Sequence, residues 1–456
     1  MNPEFLRNVW LELTARRAVF MIVVLALVFF AAALAGGSNY SPANVAELLF
    51  YFIVVFWGSR NAALSVVGEI RDRTWDLQRL SSLGAGTMAW GKLFGSTIYN
   101  WFGGAICLTV LLASEVVHQG PVTALIDLVY YIGIGVISQA AALLASLIAA
   151  RRRNAHFRYG AFAYQLAGVL AALFVFWIWS AADPAGSILI HKKPTEFIVW
   201  WQSSFDSRPF LLLSLASFAA WTLVACYRQM RIELKMRNGP SVWLAFLLFM
   251  GVYAAGFDAW QSSGPETAAW DSVARRLALA TSTFGILTYV MVLLEPKERV
   301  LYRWMGAQIA AGHVDKALLR FQAWMMSYFA AIAVAAALVV RLVQLEGRFG
   351  PDTAAIVSAT GFLTRDVALF VLFQSLPGRR RGDFAAVVAL FALYALIPAI
   401  LHGLDLTRAL PFFYPEPGDP LWLSPVVAWG EAIVLMTLTF IRLTTGEKAV
   451  VRPAPA

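Results

Sequence analysis

Long apolar runs, each interrupted by a short polar or charged segment, recur along the whole chain. About 17 to 25 mainly apolar residues suffice to cross a hydrocarbon layer of roughly 30 Å as a helix. Such runs fall near 18–35, 45–68, 93–113, 122–150, 159–181 and 210–226. A second set falls near 241–257, 277–294, 323–340, 353–376, 384–402 and 424–441. The pattern predicts an all-α polytopic membrane protein with about twelve transmembrane helices. The polar segments are mostly too short to do more than reverse the chain, but 69–92 and 295–322 greatly exceed what a turn requires.

Composition agrees. Of the 456 residues 60% are hydrophobic and only 14% charged, against about 25% in soluble domains. The formal charge of +9 is unevenly spread: with both termini cytoplasmic, the inner segments hold 26 Lys and Arg and the outer ones 8. That bias is the usual signature of cytoplasmic loops, so the basic balance calls for no nucleic acid. Arg16 and Arg17, the first apolar run and Ala33-Leu34-Ala35 also imitate a secretory signal with its cleavage site. Cleavage would leave eleven spans; small residues at a span end are common, and the run is read as the first span.

The chain carries signs of an internal duplication. Glu69-Ile70-Arg71-Asp72-Arg73 closes the second run, and Glu295-Pro296-Lys297-Glu298-Arg299 closes the eighth, 226 residues later. Basic triplets Arg151-Arg152-Arg153 and Arg379-Arg380-Arg381 follow the fourth and tenth runs at an offset of 228. An even number of spans preserves orientation, so the expectation is two parallel six-helix repeats, 1–226 and 227–442, with a cytoplasmic tail 443–456. Each half opens on an amphipathic segment. The first is an interfacial helix over 3–17, with Phe5, Leu6, Val9, Trp10 and Leu13 opposite Glu4, Arg7, Asn8 and Glu12. The second is 228–238, whose alternation is nearer a period of two.

Within 69–82, Glu69 and Arg73 stand at i, i+4 with the acid first, the favourable order for a helical ion pair. Ile70, Leu77 and Leu80 would share the face opposite Arg71, Asp72, Asp76 and Arg79. A solvated charged turn is the competing reading. The stretch from Glu69 to Leu80, followed by Met88-Ala89-Trp90-Gly91-Lys92-Leu93, resembles the membrane subunits of type-2 ABC transporters. That resemblance, extended over nearly the whole chain by the six-span layout, implies an interfacial elbow helix and a coupling helix between the second and third spans. It also implies short re-entrant elements before the sixth span. The chain would be a permease, an exporter of a bacterial inner membrane, coupled through Glu69, Arg71, Asp72, Arg73, Asp76 and Arg79 to two copies of a separate ABC ATPase that binds ATP and Mg. In the second half Glu295, Lys297, Glu298 and Arg299 would correspond, although Ala317-Leu318-Leu319-Arg320-Phe321 replaces the Gly-Lys-Leu entry.

Two stretches match known motifs in part. Gly86 to Leu93 fits G-x-x-x-x-G-K but has Leu93 where Mg²⁺ coordination needs Ser or Thr, and no strand precedes it. The chain therefore has no nucleotide site or cofactor of its own by this reading and is no enzyme. Gly68-Glu69-Ile70-Arg71-Asp72-Arg73 partly resembles a loop motif of the major facilitator superfamily, making an ion-driven secondary transporter the alternative; Thr74, Trp75 and Asp76 depart from that motif. The five histidines are scattered, and Cys107 and Cys226 lie inside apolar runs, so neither a metal site nor a disulfide framework is expected.

Charges inside spans cost roughly 2.5 to 3.5 kcal/mol on translocon scales, which singles out Arg60, Arg365, Asp366 and Glu431 as lining the pathway or pairing to fix helix packing. Trp200, Trp201, Phe412 and Phe413 lie in the outer loops before the sixth and twelfth spans; they would form an aromatic belt or an outer gate. The partners expected are the bilayer, the ATPase and a substrate that no motif identifies.

Overall fold

A computed structural model of the chain describes residues 2–35, 41–151, 160–182, 197–236, 238–258, 270–376, 382–416 and 420–444. The chain divides into two compact units, Met1–Ile198 with Ser204–Asn238, and Val199–Ser203 with Gly239–Ala456. The first contains α1 (Pro3–Glu12), α2 (Ala15–Ala35), α3 (Pro42–Arg71), α4 (Trp75–Arg79), α5 (Ala85–Trp90), α6 (Ile98–His118), α7 (Pro121–Arg151), α8 (Gly160–Ala182) and α9 (Ser207–Glu233). The second contains α10 (Ser241–Ala255), α11 (Ser272–Leu294), α12 (Arg299–Ala310), α13 (Val314–Leu318), α14 (Ala323–Glu346), α15 (Pro351–Ser375), α16 (Gly382–Gly403) and α17 (Leu423–Thr444).

Among the described residues eleven helices are long and apolar enough to cross a membrane. The fold is that of an all-α multi-pass membrane protein. The seventh apolar run is the exception: α10 has 15 residues, about 22 Å at 1.5 Å per residue, and is short of a full crossing. Residues 152–153 and 379–381 of the basic triplets, 183–196 of the long outer loop and the tail after Thr444 lie outside the described residues.

Local chemistry sets the helix ends. The Asn2 side chain accepts the Glu4 and Phe5 N–H groups and Pro3 follows as first residue, starting α1. The expected interfacial helix over 3–17 is broken, because the chain turns at Leu13 and Thr14 and gives Arg16 and Arg17 to α2. Its faces also differ from expectation: Glu4 is buried, whereas Trp10 is 80% exposed. The second amphipathic segment has no helix of its own, since α9 runs through to Glu233 before turning at Lys235, whose φ is 61°. Gly347, at φ 67°, ends α14 in the left-handed conformation that favours glycine.

In the first unit Phe50, Ile53 and Val54 of α3 pack with Leu108 of α6 and Tyr130 and Ile134 of α7. Gly104 makes the approach of α6 to α3 possible, for a Cβ there would run into the Val54 side chain. A further apolar cluster joins Val66, Trp75, Met88, Leu93, Leu147 and Met230, at the end of the unit that carries α4. In the second unit α15 is the centre, with Leu363, Val367, Phe370 and Val371 packed with Phe284 of α11 and Trp324 of α14.

Before α9, where the resemblance implies re-entrant helices, the described residues instead form a two-stranded hairpin, β1 (Phe197–Trp200) and β2 (Ser203–Asp206). Its turn residues Trp201 and Gln202 have φ of 49° and 63°, the geometry that suits the twist of a two-residue hairpin.

Candidate functional site

The segment 69–92 is held by a buried lysine. Lys92 lies in a π-helical stretch, Gly91–Gly95, and its Nζ is 2.5 Å from Glu69 Oε2 and 3.3 Å from Glu4 Oε1. Arg7 Nη2 reaches Glu69 Oε1 at 3.0 Å and Arg7 Nη1 reaches Glu4 Oε2 at 3.4 Å. Gln78 also donates to Glu69, and the lysine ammonium sits 5.4 Å from the Trp75 ring centroid. Two acids and two bases thus balance in a network, buried at Lys92 and Glu4 and open to solvent at Arg7, that ties α1, the end of α3, α4 and the start of the third span together. Such pairing offsets a desolvation cost that neither charge could bear alone.

This corrects the expected Glu69–Arg73 pair and the single helix over 69–82. Glu69 and Arg71 end α3, Arg73 turns at φ 60°, and the following helix has only five residues. Arg71–Asp72 at 3.5 Å and Arg79–Asp76 at 3.2 Å are surface pairs, which contribute little. Arg79 also donates Nε to the Glu233 carbonyl at 3.0 Å. The predicted apolar face divides: Ile70 packs in the core, while Leu77 and Leu80 are 70% and 84% exposed.

The second long segment is wired differently. Glu295 Oε2 accepts the Trp324 N–H at 3.2 Å, capping the start of α14. Lys297 is buried, 2.8 Å from Asp383 Oδ1 at the start of α16. Tyr302 donates to Gln322 at 3.1 Å, and burial together with Glu295 holds its hydroxyl protonated well above the usual tyrosine range. Glu298 precedes α12 without a side-chain capping bond and is exposed, and Arg299 opens the helix.

Two polar clusters lie within the spans. In the first unit α3 opens into a π-helix over Tyr51–Trp57. Its carbonyls accept amides from three other helices: Ile53 O from Asn100 at 2.9 Å, Val54 O from Gln139 at 3.0 Å and Phe56 O from Gln165 at 3.0 Å. Trp101 donates to Gln139 Oε1 at 2.9 Å and Asn61 to Asn100 Oδ1 at 2.8 Å. Arg60 is not part of this cluster; it is exposed and makes no hydrogen bond or ion pair among the described residues. The expected partner for it is thus missing.

In the second unit Arg365, Asp366 and Glu431 do come together. Arg365 Nε is 2.9 Å from Asp366 Oδ1, and Nη1 is 2.9 Å from Glu431 Oε2. Tyr289 and Tyr394 each donate to Asp366 Oδ2 at 2.7 Å, and the guanidinium stacks over Phe362 and Tyr394. Arg365 and Asp366 are buried, whereas the Glu431 side chain is 41% exposed. Arg365 Nη2 is buried without a partner.

The aromatic residues of the outer loops are not brought into one cluster. Trp200 Nε1 donates to Tyr253 O at 3.0 Å, the Trp201 N–H to Gly256 O at 2.8 Å, and Arg276 lies 4.5 Å over the Trp201 ring. These bonds pin the hairpin tip to the end of α10. Phe412 ends a 3₁₀ turn, Thr407–Phe412, and is 39% exposed; Phe413 follows it. Nearby Tyr414 donates to the Tyr394 carbonyl, and its own carbonyl accepts Ser424 Oγ at 3.0 Å. Near the start of α11, Asp271 accepts from Arg341, and that bond lowers its carboxyl below the usual range.

Sequence reasoning passed over Glu4 and Lys92 as a buried pair, Asp383 as the partner of Lys297, and Tyr289 and Tyr394 as donors. Asn100, Gln139 and Gln165 each carried one readable signal, a lone amide in an apolar run. Among the described residues no cluster of His, Cys, Asp and Glu could hold a metal.

The eleven apolar helices define the class, a multi-pass membrane protein. No family model, no curated protein and no solved structure matches the chain.

Proposed function

We propose that the chain is the membrane-spanning permease of an ATP-driven transporter of the type-2 ABC class, with two parallel six-span halves, the 15-residue α10 serving as a short seventh span, and both termini cytoplasmic in a bacterial inner membrane. The halves form the translocation path, and separate ATPase subunits dock on 69–82 and 295–310. One observation carries the reading: α4 and the residue that caps it present Leu77 and Leu80 outward while Trp75, Gln78 and Glu69 anchor it through Lys92 to α1 and the third span. An exposed apolar pair on a braced helix suits a docking contact whose displacement is passed to the spans. ATP-dependent closure of the ATPases then biases the halves between two arrangements.

The test is a detergent pull-down of the tagged full chain. An ATPase subunit is expected to copurify, and Leu77→Ser with Leu80→Ser is expected to release it while the permease keeps its melting temperature. A stable permease that never copurifies with an ATPase overturns the reading. The Arg365–Asp366–Glu431 cluster favours one alternative, an ion-driven carrier, since carboxylates within spans are common in proton and ion relays. Substrate uptake into ATP-free vesicles under an imposed pH gradient would support it.

A further inference from the structure

The second unit has an apolar groove of about 420 Å³ between α12 and the spans, within the size range of ligand sites. Met305 and Gly306 of α12 close it at one end, and Phe329, Val367 and Phe440 line it along α14, α15 and α17. It reaches inward as far as Thr364, whose hydroxyl is 2.9 Å from Tyr328 Oη. Phe329 and Phe440 are 54% and 67% exposed, so in a bilayer the long side of the groove opens to hydrocarbon.

Its α12 end is basic. Arg303 Nε donates to the Leu443 carbonyl at 2.6 Å, which leaves the outer guanidinium nitrogens facing solvent. Arg442, the neighbour of Leu443, is exposed as well and lines an adjacent apolar groove of about 440 Å³ with Leu372 and Leu376. Neither arginine makes an ion pair among the described residues, of which the nearest acids in sequence are Glu298, exposed at the start of α12, and Glu431, which pairs with Arg365. The groove is open to lipid, Arg303 is bonded to the carbonyl of its lining residue Leu443, and Arg442 precedes that residue; an apolar channel with guanidinium groups beside one end has the chemistry of a chain with an anionic head.

We propose that this groove binds an anionic phospholipid, with one acyl chain along Phe329, Val367 and Phe440 and the phosphate between Arg303 and Arg442. Guanidinium groups bond phosphate oxygens in pairs, and basic pockets at the ends of spans collect anionic head groups. A zwitterionic lipid offers the same chain without the net charge, so it is the discriminating control. The inference goes beyond the transport reading and holds whether or not an ATPase docks.

The experiment is native mass spectrometry of the full chain, stripped of lipid in detergent and titrated with phosphatidylglycerol or phosphatidylcholine. Two arginines at a surface are expected to give about a 30-fold preference for phosphatidylglycerol, a result read on the unaltered protein. Arg303→Gln with Arg442→Gln is expected to abolish the preference and leave phosphatidylcholine binding as it was. Gly306→Leu fills the groove from a position where an added Cβ meets nothing within 4 Å, and is expected to weaken both lipids. Equal binding of the two lipids by the parent, an unchanged preference in the arginine variant, or unchanged binding in Gly306→Leu would each overturn the proposal. Melting curves of the lipid-free variants confirm that they remain folded.

Discussion

Along its spans the first unit buries three neutral amides, Asn100, Gln139 and Gln165, whereas the second buries an arginine and an aspartate and adds a half-exposed glutamate. Both clusters pair polar groups within the spans, though in the second Arg365 Nη2 is buried without a partner. The amides do so against backbone carbonyls, so their arrangement has no charge to gain or lose. Arg365 faces two carboxylates, and with both ionised the second cluster carries a net negative charge. A proton or cation could neutralise it, while nothing comparable could act on the amides. The two clusters therefore differ in chemistry, the first a set of neutral amide bonds and the second a set of ionisable groups.

Removing the arginine should break that contrast most severely. Arg365→Met strands two carboxylates and is expected to cost about 3–5 kcal/mol, read as a large fall in melting temperature in detergent. Adding Asp366→Asn and Glu431→Gln should recover most of it, because the neutral triple variant turns the second cluster into a relative of the first. Full stability of Arg365→Met alone would mean that the ion pairs do not form.

Gln139→Leu comes next. It strips Trp101 Nε1 of its acceptor and Val54 O of its side-chain donor, at about 1–3 kcal/mol for the stranded indole N–H, so a cost near that of the arginine variant would erase the difference between the clusters. Lys92→Met should cost less overall, because Arg7 still pairs with both Glu4 and Glu69 and one carboxylate is left uncompensated where Arg365→Met leaves two. It should instead free α1, seen as faster protease cleavage near Glu12 with the spans intact.

The smallest effect is at Asp271. Its folded-state carboxyl is lowered by the Arg341 hydrogen bond, so this contribution is present above the unfolded value of about 3.9. It is lost as pH falls through the lower folded value. Arg341→Gln should flatten that acid limb slightly and leave neutral-pH stability nearly unchanged, since the pair is partly exposed.

The spans were legible because a hydrocarbon layer imposes length and apolarity on contiguous residues, as in α2 and α7. The seventh run misled because Gly256-Phe257-Asp258 ends α10 early, and hydropathy does not register a helix end. Arg365, Asp366 and Glu431 were legible one by one as misplaced charges. Their tyrosine partners were not, since Tyr289 and Tyr394 look like ordinary span aromatics. Around Glu69 the i, i+4 spacing pointed to Arg73, yet the true partners lie 62 residues before it and 23 after it. Local periodicity carries no information at that range. The shared target of the three amides left no trace either, because it is backbone.

The wide turn in α3 has one last consequence. A π-helical stretch amounts to one surplus residue in an otherwise regular rod, and each α-helical residue advances the azimuth by about 100°. Deleting Val55 would absorb the surplus and return the stretch to regular α-helix with Gly58–Arg71 in nearly the same phase, whereas deleting a residue between Gly58 and Gly68 would rotate Glu69 by roughly that angle, away from Lys92. The turn is thus a phase buffer, within which a length change of a single residue can be taken up without redirecting a carboxylate fourteen residues further on.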